Sequence, residues 1–98
     1  MALESAFQRN IVQELKQIFP GCILMKGDSS YTQGIPDLVI LYKDKWAMLE
    51  CKRNASASHR PNQDYYVNQF NDWSFASFIY PENKKQVLVK LKIFFEEE

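Results

Sequence analysis

Residues 34–52, Gly34-Ile35-Pro36-Asp37-Leu38-Val39-Ile40-Leu41-Tyr42-Lys43-Asp44-Lys45-Trp46-Ala47-Met48-Leu49-Glu50-Cys51-Lys52, decide how this chain is read. Residues 37–43 are an almost continuous apolar run, as expected of a central strand covered on both faces. A turn at Asp44-Lys45, or one residue earlier at Lys43-Asp44, returns the chain as a second strand over 46–52. With the earlier turn, Tyr42 faces Lys45 and Asp37 lies opposite Glu50. With the later turn, Asp37 faces Lys52 and Val39 faces Glu50. Strand side chains alternate between faces, so either register sets Asp37, Glu50 and Lys52 on one face. A three-residue loop would send Asp37 to the other side.

Cross-strand neighbours lie within about 5 Å of each other, close enough for two carboxylates to share a cation. Both acids end apolar strands, and a buried carboxylate requires a partner or a metal. Lys52 offsets one charge, and a hard divalent cation satisfies the rest through oxygen ligands. The plain alternative is an ordinary salt-bridge cluster of the same three residues.

Upstream, residues 3–19 read as an amphipathic helix, with Leu3, Phe7, Ile11, Leu15 and Ile18 at helical spacing, ended by Pro20-Gly21. Glu4 lies at the centre of that stripe, with Gln8 one turn further along. Two polar side chains thus point inward where the pattern calls for apolar ones, and one or both can complete a cation's ligand sphere. Cys22–Lys26 reads as a short strand and 27–34 as a polar loop. Downstream come a loop over 54–61, a helix over 61–72 with Pro61 in its first turn, a strand over 76–80 and a turn over 81–85. A last strand is expected over 86–94, where Val87, Val89, Leu91 and Ile93 alternate with Leu88, Lys90 and Lys92. The expected architecture is a single α/β domain over residues 1–98, with a mixed sheet in the order helix, strand, strand, strand, helix, strand, strand.

Composition narrows the function classes. A 46% hydrophobic content with 14% aromatics argues against disorder. No apolar run approaches the length needed to cross a bilayer, and no signal-peptide pattern opens the chain, so a soluble, cytoplasmic protein without a membrane partner is expected. Cys22 and Cys51 lack zinc-ligand spacing and read as small hydrophobes. His59 is the only histidine, which gives a histidine-centred metal site or a Ser-His-Asp triad little support. The twelve basic and twelve acidic residues cancel, whereas a nucleic-acid binder is usually more basic.

Gly34-Ile35-Pro36-Asp37 followed by Glu50-Cys51-Lys52, within this order of elements, resembles the PD-(D/E)xK nuclease superfamily. Within it the chain is most similar to VRR-Nuc domains and archaeal Holliday-junction resolvases, over residues 4 to about 90. The resemblance implies a restriction-endonuclease-like core and a Mg2+-dependent DNA endonuclease, with Mn2+ able to substitute. Such an enzyme would be structure-selective for branched or junction DNA and would act as a homodimer. Asp37 and Glu50 would then be the metal-binding acids, joined by the backbone carbonyl of Cys51. Lys52 would orient the attacking water or stabilise developing negative charge. The family also places a glutamate or glutamine on its first helix. The stretch Gln8-Arg9-Asn10-Ile11-Val12 points to Gln8, where resolvases carry Glu, and leaves Glu4 open as the ligand instead. Gln63 occupies the place of a glutamine found on the helix after the second motif.

For DNA contacts the candidates are Lys26, Ser30 in the 27–34 loop, Arg53, His59 and Arg60, with plain solvated surface the alternative reading of His59 and Arg60. Lys and Arg beside phosphates provide affinity without sequence readout. The alternative from a different class is a non-catalytic nucleic-acid-binding or assembly module on the same scaffold.

Overall fold

The hairpin turns at Lys43-Asp44, the earlier of the two registers. In the computed structural model, which describes residues 4–97, β2 (Leu38–Tyr42) pairs antiparallel with β3 (Lys45–Cys51), with Tyr42 facing Lys45 and Leu38 facing Leu49. Lys43 takes the left-handed conformation at φ 58 that so tight a turn requires. Carried one step beyond β2, this register sets Asp37 opposite Glu50. Leu3, which opens the helical stripe of the sequence, and Glu98 lie outside the described residues.

Around the hairpin the described residues build a mixed α/β domain of three helices and one four-stranded sheet ordered β1-β2-β3-β4. β1 (Ile23–Lys26) is antiparallel to β2, and β4 (Ala76–Ile79) is parallel to β3. α1 (Glu4–Ile18) and α3 (Lys84–Glu96) cover one sheet face. Their Ile11, Leu15, Leu88, Leu91 and Phe95 close with Phe19 on Leu38, Ile40, Ala47, Leu49 and Ile79. α2 (Gln63–Trp73) covers the β3–β4 half of the other face, and its end is tied down by the Ser74 hydroxyl, which donates to the Trp46 carbonyl. Among the described residues no helix is long and apolar enough to cross a membrane.

Residues 86–94, expected as a fifth strand, lie in α3. The period-2 alternation of Val87, Val89, Leu91 and Ile93 coexists with a helical stripe at 87, 88, 91, 94 and 95, and the helical stripe is the one that packs. Val87, Leu88, Leu91 and Phe95 are buried, whereas Val89 and Ile93 are more than half exposed. The sheet also has no place for another strand beside β4. Asn71 Oδ1 accepts the Ala76 N–H, while Asn83 accepts the Tyr80 N–H and donates to the Phe78 carbonyl. Side-chain amides therefore occupy edge groups that a neighbouring strand would need. Lys45 fixes the far end of α3 by donating to the carbonyls of Phe94 and Glu97, a cation set on a helix C-terminus.

The helical stripe makes a testable contrast. Leu91→Ala should destabilise the fold by about 2–5 kcal/mol, as for a buried leucine, whereas Ile93→Ala should cost less than about 0.5 kcal/mol. Urea denaturation of both variants checks this. An alternating strand would make the two losses similar.

Candidate metal centre

Three features of the backbone build the site. Pro36 ends the approach to β2 without an N–H to give. Gly27 lies so close beneath it that a Cβ there would stand 2.0 Å from the Pro36 carbonyl oxygen. Its N–H donates to the Asp37 carbonyl at 3.0 Å, which fixes Asp37 at the mouth of the hairpin. Gly34, at φ +96, lets the 27–37 loop lie on Pro61 and Asn62, where a Cβ would come within 2.8 Å of both. The loops before β2 and before α2 are thus pressed together around one cavity of about 570 Å3, whose walls carry Glu4, Asp37, Glu50, Lys52, Arg60 and Gln63.

Across the hairpin each acid holds a backbone N–H of the opposite strand. Glu50 Oε1 accepts the Asp37 N–H at 3.1 Å, and Asp37 Oδ1 accepts the Cys51 N–H at 3.2 Å. The other oxygen of Glu50 accepts from Gln63 Nε2 at 3.0 Å and lies 3.8 Å from the Lys52 ammonium. Gln63 is a junction. Its Oε1 accepts from Lys52 Nζ at 2.8 Å and from the Arg60 N–H at 2.9 Å. Lys52 also donates to the Ser58 carbonyl at 3.2 Å, so the 53–62 loop and α2 together aim its ammonium. Glu50, Lys52 and Gln63 are all at least 95% buried, and no buried side-chain polar atom among the described residues lacks a partner.

This satisfied network still carries uncompensated negative charge. Burial raises Asp37 from 3.8 to about 6, helped by the carboxylate of Glu4 and opposed by its hydrogen bonds and by Lys52. Burial, then the charge of Asp37, raises Glu50 from 4.5 to about 7. Glu4 acts on both, and with its place in the cavity wall it is the third carboxylate of the site.

The donor set fits a hard divalent cation. Two desolvated carboxylates face a polar cavity. Among the described residues the second oxygen of Asp37 accepts no hydrogen bond. In register, Cys51 faces Pro36, which has no N–H for the Cys51 carbonyl. The Cys51 thiol itself is buried in the core and pushed upward by burial, so only its backbone is available. Among the described residues no three histidine, cysteine, aspartate or glutamate side chains are gathered into a metal-sized cluster. The set therefore consists of the Asp37–Glu50 pair, one carbonyl, and Glu4 on the wall.

The other residues singled out from the sequence separate from this group. Gln8 lines a neighbouring groove of about 440 Å3 with Arg9, Lys16 and Lys26. One helical turn carries it about 6 Å along the axis from Glu4, and it is not among the residues of the cavity wall. His59 turns away, stacked on Phe78 with ring centroids 4.1 Å apart and Nδ1 2.7 Å from Asp64. Ser30 gives its N–H and hydroxyl to Asp28, while Ser29 and Gln33 reach the cavity wall instead. Arg53 is exposed. The sequence left Gln33 and the Ser58 carbonyl unmarked, and only the glycines at 27 and 34 hinted that the loops converge. Compared with known protein families, with curated proteins and with solved structures, the chain matches none.

The raised carboxylates set the direction of a pH effect. A group with a raised pKa binds its proton more tightly when folded, so its stabilisation is full below the unfolded values near 4 and is lost as pH rises through about 6 and 7. Metal-free protein should melt several degrees higher at pH 5 than at pH 8. In Asp37→Asn that gap should shrink and the melting temperature at pH 8 should rise. Thermal denaturation followed by circular dichroism reads both, and an unchanged pH dependence in the variant would contradict the charge assignment.

Proposed function

We propose that the chain is a metal-dependent phosphodiester hydrolase acting on DNA. The observation that carries this reading is the desolvated pair Asp37–Glu50, with the buried ammonium of Lys52 beside it, at the wall of one open polar cavity. The carboxylates of Asp37 and Glu50, the Cys51 carbonyl and Glu4 would hold Mg2+ or Mn2+. A cation so bound polarises a phosphoryl oxygen and lowers the pKa of its water.

The remaining work falls to the chain's own groups. Lys52 presents a positive charge where negative charge develops during attack on phosphorus. Gln63 is a positioning residue: by accepting from Lys52 and donating to Glu50 it holds ammonium and carboxylate at a fixed separation. Arg60, on the cavity wall, faces the path of a phosphate entering the site.

The distribution of charge supports a polyanionic substrate despite the neutral total. Among the described residues the salt bridges join Lys52 to Glu50, His59 to Asp64, Lys84 to Glu14 and Lys92 to Glu96. Nine of the twelve lysines and arginines take part in none of them. Three of these, Arg9, Lys16 and Lys26, line a single groove with no carboxylate in its walls, a track for the phosphates flanking the cleaved bond. Preference for branched or junction DNA rests on the resemblance to the PD-(D/E)xK nucleases alone.

The competing reading, a binding module with a structural salt-bridge cluster, draws on the completeness of the hydrogen bonding among Glu50, Lys52 and Gln63. Calorimetric titration with Mg2+ or Mn2+ separates the two. The nuclease has a saturable site that Asp37→Asn removes and Glu4→Gln weakens about tenfold or more, while Gln8→Ala leaves it intact. A salt-bridge cluster gives no saturable heat. In a cleavage assay across single-stranded, duplex, flap and four-way DNA with Mg2+, Glu50→Gln should lose about a thousandfold in rate or more. Cleavage at the parental rate would remove the proposal.

A further inference from the structure

A second cleft, of about 370 Å3, opens at the outer edge of β4 and shares no wall residue with the carboxylate cavity. His59, Asn71, Phe78, Tyr80 and Asn83 are among its walls. The edge of β4 can be followed there group by group. The carbonyls of Phe75 and Ile79 accept the N–H groups of Met48 and Lys52 on the β3 side, each at 2.9 Å. Successive residues of a strand present their backbone groups to opposite sides, so Ala76, Phe78 and Tyr80 turn theirs outward. Asn71 Oδ1 accepts the Ala76 N–H at 3.2 Å, and Asn83 Oδ1 accepts the Tyr80 N–H at 2.8 Å. The Phe78 carbonyl accepts from Asn83 Nδ2 and from the Ser77 hydroxyl, and the Tyr80 carbonyl accepts the Asn83 N–H. Of these outward groups only the Ala76 carbonyl and the Phe78 N–H have no partner among the described residues.

The leftover pair is an acceptor beside a donor, with a third group at its Ala76 end. Asn71 commits Oδ1 to the Ala76 N–H, which leaves its Nδ2 as a donor that makes no hydrogen bond among the described residues. The row therefore runs donor, acceptor, donor: Asn71 Nδ2, the Ala76 carbonyl, the Phe78 N–H. Its complement is acceptor, donor, acceptor. Among the pairing edges of the nucleobases, the pyrimidine-2,4-dione of thymine and uracil has that order, in O2, N3–H and O4. Adenine and cytosine place a ring-nitrogen acceptor at the centre of the edge, and guanine carries donors at two of its three positions.

We propose that this cleft binds a thymine or uracil base through that row. A peptide strand does not suit it, because the groups on either side of the pair are already held by Asn71 and Asn83 and no ladder can run on. A single planar ring meets the pair without disturbing those amides. The stacked rings of His59 and Phe78, 4.1 Å apart and 17° from parallel, and the ring of Tyr80 give the cleft aromatic walls, surfaces that favour a base. The cleft volume lies in the range of small-ligand sites. A free nucleoside and an unpaired nucleotide of a strand present the same edge, and the row recognises either. The proposal rests on the edge of β4 and not on the hydrolase reading.

Two-dimensional 1H–15N NMR of the full chain tests this, because the Phe78 amide is itself one of the recognising groups. Thymidine should shift that amide and saturate with a dissociation constant on the order of 1 mM. N3-methylthymidine, which has no N3 hydrogen for the Ala76 carbonyl, and cytidine should each bind about tenfold more weakly or worse. Asn71→Asp keeps an acceptor for the Ala76 N–H but replaces the donor of the row, and should weaken thymidine about tenfold or more. If that variant loses its circular dichroism spectrum, the two analogues decide alone. Short single strands of thymidylate and of cytidylate identify the source. Saturation by thymidine means that a free nucleoside suffices, whereas a shift with the thymidylate strand alone assigns the base to a strand. A Phe78 amide that responds to neither overturns the proposal. So does an equal response to N3-methylthymidine, to cytidine or to the cytidylate strand, or unchanged binding in folded Asn71→Asp. Loss of Mg2+ binding or of cleavage with thymidine binding intact counts against the hydrolase reading and leaves this one standing.

Discussion

The crossed hydrogen bonds that Glu50 accepts from the Asp37 N–H and Asp37 accepts from the Cys51 N–H are the constraint on which the rest of the molecule turns. Each carboxylate accepts a backbone N–H from the opposite strand, at the point where Pro36 has ended the regular ladder. The acids thereby satisfy two backbone N–H groups just beyond the paired residues, and they are held at the cavity wall. Their raised pKa values follow from that confinement. The site is a place where the fold forgoes stability at neutral pH, and the apolar layer of Leu38, Ile40, Leu49 and Ile79 on the far side of the same strands offsets it.

Lys52 and Gln63 show how the second half of the chain is recruited to this constraint. Lys52 lies just past β3, where its N–H still donates to Ile79 of β4, so the parallel strand sets the direction of its side chain. Gln63 opens α2 after Asn62 has passed through the left-handed region at φ 72. Its side chain reaches back to the Arg60 N–H rather than out to solvent. One residue thus closes the start of a helix and links an ammonium to a carboxylate. Its burial follows from both demands together, and neither alone accounts for a glutamine that is 5% exposed.

How far the sequence foretold this depends on what each signal measures. The hairpin was legible because strand alternation is binary: any even loop brings Asp37, Glu50 and Lys52 to one face, and the register then decides only who faces whom. Helix periodicity was legible in α1 as an angle. An angle carries no height, so Glu4 and Gln8 looked equivalent although only Glu4 reaches the cavity. In α3 two periods coexist in one stretch, and the β-branched valines favoured the wrong one. The choice was made by tertiary contacts that local pattern does not contain, the Asn71 and Asn83 amides on β4 and the Lys45 cap at the helix end. His59 was drawn toward the site by its neighbour Arg60. Within an irregular loop, adjacent side chains diverge, and Phe78 and Asp64 supply His59 with a stack and a partner elsewhere.

The neutral charge total misleads in the same way, because it sums over groups that never share a field. At physiological ionic strength the Debye length is about 8 Å, much less than the 34 Å long axis of the domain. The acidic residues at 96 and 97 end α3, which packs on the face opposite the carboxylate pair. What a phosphate would meet is local: Arg60 in the cavity wall, then Arg9, Lys16 and Lys26 in the groove beside α1. A patch of this kind needs no excess of basic residues in the chain. It needs only that acids and bases be sorted to different faces, and the salt bridges at Glu14–Lys84 and Glu96–Lys92 retain two of the acids far along the helices from the cavity mouth.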